Sequence, residues 1–280
     1  MPELPEVETV KNSLKKKVIN KIITDIKIYY DKIVEFPDID TFKKQIKNQK
    51  INDVKRRGKW LLFELDNYYL LSHLRMEGKY FFRNLNDKMD KHEHISFVLD
   101  NNEEMRYHDT RKFGRMYLLE KEKAFKMKPL NELGKEPWDE DLNVEYLKEK
   151  LKNKQIPIKT VLLDQSIIVG IGNIYVDEVL FMIRLNPLIK GKDVDELYLQ
   201  KIIDNTKIVL EKAIKLGGTT IKSYTSSEGV HGRFQNELLI HTKEKCPECN
   251  RNVTKIKIGG RGTYYCENCQ KWWRFIWRKY

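Results

Sequence analysis

The spacing of the four cysteines constrains the fold of this chain more than any other feature of its sequence. They form two Cys-x-x-Cys pairs near the C-terminal end, separated by sixteen residues, at Cys246, Cys249, Cys266 and Cys269. Two such pairs suit a tetrahedral zinc site, each pair lying on a tight turn of a small hairpin. Disulfide bonds are the alternative, which a cytosolic chain with no other cysteine disfavours. The spacing predicts one structural zinc ion, because four thiolates leave no position open for water.

The net charge of the chain is +12, from 53 Lys and Arg against 41 Asp and Glu. This sign suits a partner rich in phosphates, because each neutralised phosphate releases counterions. Lysine is scattered along the whole chain, as an AT-rich genome alone would produce, so charge favours nucleic acid only modestly. An acidic membrane surface lacks the support of a strongly amphipathic basic helix. No apolar run approaches the roughly 20 residues of a membrane span, and the N-terminus is not a secretory signal. We therefore expect a cytoplasmic protein.

The first ~125 residues have the hydropathy pattern of an antiparallel sheet preceded by one helix. Apolar residues recur at helical spacing from Val7 to Val18 and predict an amphipathic helix after a short N-terminal tail. Two turn sequences, Asp66-Asn67 and Asn101-Asn102, each separate two strand-like segments and predict hairpins. The segments are 60–65, 68–74, 95–99 and 104–107.

Helical periodicity dominates the second half of the chain. A stretch over 126–137 contains two prolines and a glycine and is typical of a linker. One apolar stripe then runs over 144–151, and a longer one over 199–216 is ended by Gly217-Gly218.

Seven motifs follow one another along the chain in an order that is far more specific than any one of them. The first is the N-terminal Met-Pro-Glu-Leu-Pro-Glu-Val-Glu. The others are Arg-Gly-Lys-Trp-Leu at 57–61, His-Leu-Arg-Met at 73–76, Asp-Thr-Arg-Lys-Phe-Gly at 109–114, Gly-Ile-Gly-Asn-Ile-Tyr at 170–175, Gly-Gly-Thr-Thr at 217–220 and the four-cysteine finger. Through them the chain resembles the bacterial formamidopyrimidine-DNA glycosylase family over nearly its whole length.

The resemblance implies an α+β fold with an N-terminal antiparallel β-sandwich and a leading helix, a C-terminal helical helix–two-turn–helix domain, and a four-cysteine β-hairpin zinc finger. The expected segments are the catalytic sandwich at 1–127, a linker at 128–138, the helical DNA-binding domain at 139–238, the zinc finger at 239–270 and an aromatic and basic tail at 271–280. A lesion-recognition loop is expected at 219–232, with Tyr224 and Thr225 close to the flipped base. The tail departs from the family, which typically ends soon after its last cysteine; it either stacks on nucleic acid or a partner, or packs on the chain's own finger.

The N-terminal residues fit the chemistry that the resemblance implies. Removal of Met1 exposes the secondary amine of Pro2, and a terminal amine titrates near about 8 whereas lysine titrates near about 10.4. Its attack on the sugar C1′ gives an iminium that cannot lose its charge by N-deprotonation. In the family pattern Pro2 forms the Schiff base, Glu3 donates or accepts a proton at the sugar, and Lys59 and Arg261 each assist cleavage at one phosphate. Glu6 either supports the amine or favours the first helical turn.

The resemblance also implies how the enzyme reaches its base, which must leave the stack at a cost of a few kcal/mol. Phe113 is expected to wedge into the stack, while Met76 and Arg111 fill the void and Arg111 hydrogen-bonds the orphaned cytosine. DNA phosphates are expected on His73, His92, Lys154, Lys159 and Asn173. Without the family, Met76 and Phe113 would be predicted as core residues, and a lone histidine as a structural group.

The predicted function is therefore excision of oxidised purines from duplex DNA, followed by β- and δ-elimination at the abasic site, by a monomer that lies on the nucleoid when bound to DNA. The nearest alternative is an endonuclease VIII-like glycosylase for oxidised pyrimidines, from which Leu4 and the Arg111 and Phe113 pair distinguish the chain. A non-catalytic zinc-ribbon protein that binds DNA through charge and finger alone is the alternative of a different class.

Overall fold

The computed structural model describes residues 2–219 and 232–271. Its contacts divide the chain into two compact units. In the described residues the N-terminal unit comprises 2–132 with 217–219 and 232, and the C-terminal unit comprises 133–216 and 233–271. The expectations for Tyr224, Thr225 and the aromatic tail beyond residue 271 lie outside the described residues.

The N-terminal unit begins with a helix and continues almost entirely in strands. Its helices are α1 (Leu4–Val18) and α2 (Ile39–Ile46). Its strands are β1 (Ile22–Ile28), β2 (Val34–Phe36), β3 (Gln49–Lys50), β4 (Asp53–Arg57), β5 (Trp60–Glu64), β6 (Tyr68–His73), β7 (Lys79–Asn84), β8 (Glu93–Leu99), β9 (Glu103–His108) and β10 (Arg115–Glu120). The leading helix and both predicted hairpins are confirmed.

Two five-stranded sheets form the sandwich of this unit. One has the strand order β3-β1-β8-β9-β7 and the other β2-β10-β6-β5-β4. Pairing is antiparallel in both, except between β10 and β2. Val7, Val10, Leu14 and Val18 of α1 are buried in the same core cluster as the inward side chains of the strands. Most residues of β5, β6, β8 and β9 are buried, so these strands form the interior of the unit.

The C-terminal unit is helical and ends in a zinc-finger hairpin. Its helices are α3 (Val144–Leu151), α4 (Ile158–Leu162), α5 (Asn173–Met182) and α6 (Glu196–Lys215), and its strands are β11 (Thr254–Ile258) and β12 (Arg261–Tyr265). The predicted end of the long helix is confirmed, because α6 stops just before Gly217 and Gly218, which have φ values of +76° and +81°. A small cluster beside the finger packs Phe181 and Ile240 against Cys246 and Cys266.

Candidate catalytic and DNA-binding sites

Pro2 and Glu3 are ordered against the body of the N-terminal unit rather than frayed. Pro2 is buried, and Glu3 is only 4% exposed at the N-cap of α1. The backbone N–H of Glu3 donates to Glu6 Oε2 at 2.8 Å, as in one half of a capping box. Pro2, Glu3 and Glu6 are therefore all buried at the start of α1.

Glu6 holds a second segment with its other oxygen. Oε1 accepts hydrogen bonds from the backbone N–H of Thr219 at 2.7 Å and from the Thr219 hydroxyl at 3.0 Å. A Cβ on Gly218 would lie 2.5 Å from the same oxygen, so this position requires glycine for space as well as for its positive φ. Glu6 thus ties the N-terminus to the residues that precede the predicted lesion loop, a role that the sequence did not predict for it.

Lys59 lies in the two-residue turn between β4 and β5 and is only 5% exposed. Gly58, with a φ of +56°, makes this tight turn possible. Arg56 donates through Nε to Glu8 Oε2 at 2.8 Å and through Nη1 to the Gly58 carbonyl at 3.0 Å. Arg56 therefore fastens the turn that carries Lys59 to helix α1. Neither Arg56 nor Glu8 was predicted to have a role, because their contact joins segments far apart in sequence.

His73 ends β6 as a buried, neutral imidazole. Its Nδ1 accepts the backbone N–H of Arg75 at 3.0 Å, so the ring proton of the neutral form lies on Nε2. Burial, together with the positive charges of Arg75 and Lys59, lowers the pKa of His73 to about 3. The ring also meets the edge of Trp60 at a centroid distance of 4.8 Å. Such a histidine can donate one hydrogen bond from Nε2 but carries no charge near neutral pH.

The three predicted void-filling residues lie on two turns of the sandwich. Met76 is half-buried in the turn between β6 and β7, whereas Arg111 and Phe113 are exposed between β9 and β10. Phe113 is 47% exposed, which excludes the core role that its residue type alone would suggest. The Arg111 guanidinium lies over the Phe113 ring at 4.8 Å from its centroid, a cation–π contact.

Asp109 folds the loop that carries Arg111 and Phe113. It has no exposed surface, and its Oδ1 accepts the backbone N–H of Arg111 at 3.0 Å. Its Oδ2 accepts the backbone N–H groups of Phe113 at 2.9 Å and Gly114 at 2.8 Å. The backbone N–H of Asp109 in turn donates to the carbonyl of half-buried His92 at 2.9 Å. His92 thus lies beside this loop, and its contact with a DNA phosphate stays a prediction. Asp109 had no role predicted from the sequence.

In the C-terminal unit, Lys159 and Asn173 both meet the zinc-finger hairpin. Lys159 Nζ donates to the Gly262 carbonyl at 3.0 Å and pairs with Asp177 Oδ1 at 2.7 Å, with no exposed surface. Half-buried Asn173, the first residue of α5, donates from Nδ2 to the same carbonyl at 2.9 Å. The Lys159 ammonium has two protein acceptors and no exposed surface, which does not favour the predicted contact with a DNA phosphate.

Asp177 is the centre of this buried cluster. Besides Lys159, it accepts hydrogen bonds at Oδ2 from His241 Nδ1 at 2.8 Å and from the backbone N–H of Tyr264 at 3.1 Å. Asp177 is only 1% exposed, so the network is desolvated and each partner matters to its stability. The cluster holds β12 of the hairpin against α5, and nothing in the spacing of these residues predicted it.

Two cations of the C-terminal unit, one predicted to be catalytic and one predicted to bind DNA, are accessible. Arg261 is exposed and starts β12 directly after the turn at Gly259 and Gly260, whose φ values are +55° and +77°. Lys154 is half-buried, and its Nζ lies 4.0 Å from Asp164 Oδ2. Both side chains can therefore meet a phosphate, unlike Lys159.

The four cysteines bring their sulfur atoms together in one cluster. Their sulfur atoms all lie within 4.8 Å of one another. The sulfurs of Cys246 and Cys269 are 3.8 Å apart, and those of Cys249 and Cys266 are 3.5 Å apart. Tetrahedral zinc with bonds of about 2.3 Å to sulfur requires separations of about 3.8 Å, so the arrangement fits the ion. This confirms the predicted ligand set of one structural zinc site.

No helix of the described residues has the length and apolar character needed to cross a membrane.

Comparison with known proteins gives the same assignment for three successive parts of the chain. The formamidopyrimidine-DNA glycosylase N-terminal domain matches residues 1–116, the H2TH domain of the same enzymes matches 133–225, and the zinc finger found in these enzymes and in IleRS matches 243–271. The chain is 47% identical to the formamidopyrimidine-DNA glycosylase of Oceanobacillus iheyensis, over 96% of this chain and 98% of that one. It is 46% identical to that of Exiguobacterium sibiricum, over 97% and 99%.

Solved structures agree with the sequence relatives. A Lactococcus lactis Fpg mutant in complex with DNA containing Fapy-dG is similar at a TM-score of 0.89 and 38% identity, over 96% of this chain and all of that one. The complex of Lactococcus lactis Fpg with DNA containing an abasic site gives the same values. The chain therefore belongs to the formamidopyrimidine-DNA glycosylase family of base-excision-repair enzymes, which remove oxidised purines and have AP lyase activity.

Proposed function

We propose that this chain removes oxidised purines through the secondary amine of Pro2 after Met1 has been cleaved. The observation that carries the proposal is the burial of Pro2 and Glu3 at the start of α1, where Glu6 holds the backbone of Glu3. A merely structural N-terminus is ordinarily frayed and solvated. Here Pro2 is followed directly by Glu3, whose carboxyl group can move a proton at the sugar.

The reaction proceeds by substitution at C1′ of the damaged nucleotide. The Pro2 nitrogen forms a bond to C1′ as the bond from C1′ to the base breaks, and the base leaves with its electron pair. The base takes up a proton, and the nitrogen gives up its own. Opening of the sugar ring, with Glu3 passing a proton to the ring oxygen, leaves an iminium between Pro2 and C1′. Because the nitrogen is secondary, the iminium stays cationic. It acidifies the neighbouring C2′ proton, so the 3′ phosphate leaves by β-elimination and the 5′ phosphate by δ-elimination.

Lys59 and Arg261 assist the two eliminations by meeting the phosphates that leave. Lys59 is held by the turn that Arg56 fastens to α1, whereas Arg261 is exposed at the start of β12. A cation at each phosphate stabilises the negative charge that develops as the carbon–oxygen bond breaks. Lys59, held in its tight turn, does so without reorganisation at the moment of reaction.

The DNA is held by contacts from both units. Met76, Arg111 and Phe113 fill the space that the flipped base leaves, since a thioether and an aromatic ring suit an irregular gap. His73, His92, Lys154 and Asn173 contact phosphates, and of these His73 does so as a neutral donor. Lys159 acts by holding the hairpin and not by touching DNA. The chain works as a monomer in the cytoplasm.

Borohydride trapping on lesion duplexes tests the proposal. Reduction of the iminium should leave a covalent adduct with an 8-oxoguanine:cytosine duplex, which mass spectrometry maps to Pro2, and much less with a thymine glycol:adenine duplex. Pro2→Gly retains a terminal amine and should weaken trapping, whereas a tag that blocks the amine should abolish it. An adduct on a lysine, stronger trapping on thymine glycol, or active enzyme that retains Met1 would overturn it. A non-catalytic DNA-binding protein would leave no adduct.

A further inference from the structure

We propose that Tyr107 and Asp109 act together as positioning residues, which hold the turn of Met76 and the loop of Arg111 and Phe113 in one fixed arrangement. The inference rests on the proposed function, since that function makes these three side chains fill the void in DNA. It assigns a role to two buried residues that touch neither substrate nor phosphate. The contacts of their side chains with both turns carry the argument.

The Tyr107 hydroxyl lies between the two turns and leaves no room for a side chain on either. Tyr107 is the penultimate residue of β9 and has no exposed surface. A Cβ on Gly78 would lie 2.3 Å from this hydroxyl, and a Cβ on Gly114 would lie 1.8 Å from it. Gly78 follows Met76 by two residues, and Gly114 directly follows Phe113. One phenol thus contacts the backbones of both turns.

Backbone conformation is not the reason for these two glycines. Neither Gly78 nor Gly114 has a positive φ, so another residue type could adopt either backbone. The three atoms nearest to the Cβ position of Gly114 all belong to Tyr107, whereas at Gly78 the carbonyl of Leu74 also lies 2.7 Å from the Cβ position. The two glycines therefore allow both backbones to approach the Tyr107 hydroxyl closely.

Asp109 completes the connection on the side of the Arg111 loop. Tyr107 donates its hydroxyl hydrogen towards Asp109 Oδ2 at 3.5 Å. The same carboxylate accepts the backbone N–H groups of Arg111, Phe113 and Gly114. A second link runs between the two turns, because the Thr110 hydroxyl donates to the carboxylate of Glu77, the residue next to Met76.

This arrangement matters because void filling competes with restacking of the flipped base. Extrusion costs a few kcal/mol, and side chains that are already in place avoid a further loss of conformational entropy on insertion. Loosening either turn should therefore weaken insertion into damaged DNA. It should leave binding to undamaged DNA nearly unchanged, since that binding depends on phosphate contacts elsewhere.

Tyr80 provides a matched control for the loss of a buried phenolic hydroxyl. Its ring packs edge-on against Tyr107 with 5.3 Å between the centroids, and it is equally buried. Its hydroxyl donates to Ser72 Oγ at 2.7 Å, and none of its atoms is among those nearest to the Cβ positions of Gly78 and Gly114. Tyr80→Phe should therefore reproduce the stability cost of Tyr107→Phe without its effect on insertion.

The test uses the full-length zinc-loaded chain and a duplex that carries a tetrahydrofuran abasic analogue with 2-aminopurine beside it. The analogue cannot form a Schiff base, so the change in 2-aminopurine fluorescence reports insertion independently of the chemistry of Pro2. We expect Tyr107→Phe to weaken insertion by roughly fivefold and Asp109→Asn by roughly thirtyfold, because the amide places a donor against backbone donors. Tyr80→Phe should change insertion by less than roughly twofold, and all three should bind undamaged duplex like the parent chain.

Equal insertion by Tyr107→Phe and Tyr80→Phe would overturn the inference, as would a parallel loss of binding to undamaged duplex. A parent chain that inserts normally but forms no borohydride adduct on 8-oxoguanine would overturn the proposed function alone. Trapping by Tyr107→Phe that falls with its insertion supports both. Thermal unfolding of the three variants shows whether any loss of insertion merely follows a loss of stability.

Discussion

Asp109 in the N-terminal unit and Asp177 in the C-terminal unit are both buried carboxylates beside predicted DNA contacts, but their partners differ. Asp109 accepts three backbone N–H groups from residues two to five positions ahead of it. Asp177 accepts a lysine ammonium, a histidine ring and a backbone N–H from residues that are 18, 64 and 87 positions away. The first carboxylate shapes one loop, whereas the second joins α4, α5 and the zinc-finger hairpin.

The difference between the two carboxylates indicates what stabilises each region. The loop after Asp109 is stabilised by its own backbone N–H groups. Three hydrogen bonds from them offset the cost of burying the carboxylate. A small hairpin with few apolar side chains needs a metal and a buried ion pair, because it cannot bury enough surface alone. The two regions should therefore respond differently to the loss of zinc and of charge.

Loss of zinc should have the largest effect of the changes considered. That effect should be confined to the zinc-finger region of the C-terminal unit. Structural zinc contributes about 10 kcal/mol or more to the folding of isolated fingers. Cys246→Ser should abolish zinc binding and lower DNA cleavage by at least about tenfold, because Arg261 loses its support. Hydrogen exchange followed by mass spectrometry should show lost protection over 239–271 and unchanged protection over 103–120. Equal loss of protection in both segments would show that the two regions are not stabilised independently of each other.

Removal of the buried ammonium should have the next largest effect. Lys159→Met leaves Asp177 without its cation and should destabilise the C-terminal unit by about 3 kcal/mol, measured by hydrogen exchange of α5 amides. Lys154→Met is the matched control, because its side chain is half-buried and its nearest carboxylate oxygen, on Asp164, lies at 4.0 Å.

The two lysine variants should separate again in DNA binding. The slope of log affinity against log salt concentration should fall by about 1 for Lys154→Met and stay unchanged for Lys159→Met. A reduced slope for Lys159→Met, with stability intact, would restore the phosphate contact that the sequence resemblance predicted for it.

The same comparison explains which features the sequence could predict. Some features depend on signals within a few residues of one another. They are the hairpins at Asp66-Asn67 and Asn101-Asn102, the end of α6, and each of the two Cys-x-x-Cys pairs. The buried state of Lys159 depends on Asp177 and Gly262, which only the folded chain brings to it. The phosphate contact of Lys159 was predicted from the family resemblance, and a lysine is rarely fully buried, so nothing in its residue type indicated this burial.

The contacts of Asp109 were predictable only in part. An aspartate that precedes a tight turn commonly accepts backbone N–H groups two or more residues ahead, so a local signal existed within the motif Asp-Thr-Arg-Lys-Phe-Gly. The contact of Tyr107 with Gly78 had no such signal, because it requires the pairing of β7 with β9.

Arg56 should show an intermediate effect, since its pair with Glu8 is only partly buried. Arg56→Met should destabilise the N-terminal unit by about 2 kcal/mol at pH 7 and slow strand cleavage through the turn of Lys59. Lys55→Met is the control on the same strand, because its pair with Glu64 is more exposed and contributes about 0–1 kcal/mol.

The pH dependence of this pair has a defined sign. Burial opposes ionisation of Glu8, but hydrogen bonds from Lys11 and Arg56 outweigh it and lower the pKa of Glu8 below its usual 4.5. A lowered carboxyl pKa stabilises the fold above the usual value, and this stabilisation is lost as the pH falls through the lowered pKa. The difference in melting temperature between the parent chain and Arg56→Met should therefore be constant above about pH 5 and shrink at lower pH. A difference that persists at pH 3 would show that Arg56 acts by packing and not through its charge.

Substitution of His73 should have the smallest effect on stability. Because His73 is neutral near neutral pH, it affects the free energy of unfolding only as the pH falls. The folded state holds the pKa of His73 at about 3, through burial and the charges of Arg75 and Lys59, whereas the unfolded chain binds a proton below about 6.5. Stability therefore falls as the pH drops below about 6.5, and this one group should contribute a loss of just under about 1 kcal/mol at pH 6 relative to pH 8. His73→Gln, which keeps a side-chain donor, should flatten that part of the curve of stability against pH while leaving the pH profile of base excision unchanged. An imidazole carbon resonance that is absent from His73→Gln and titrates near pH 6.5 in the parent chain would contradict this, since His73 would then hold its phosphate as a cation.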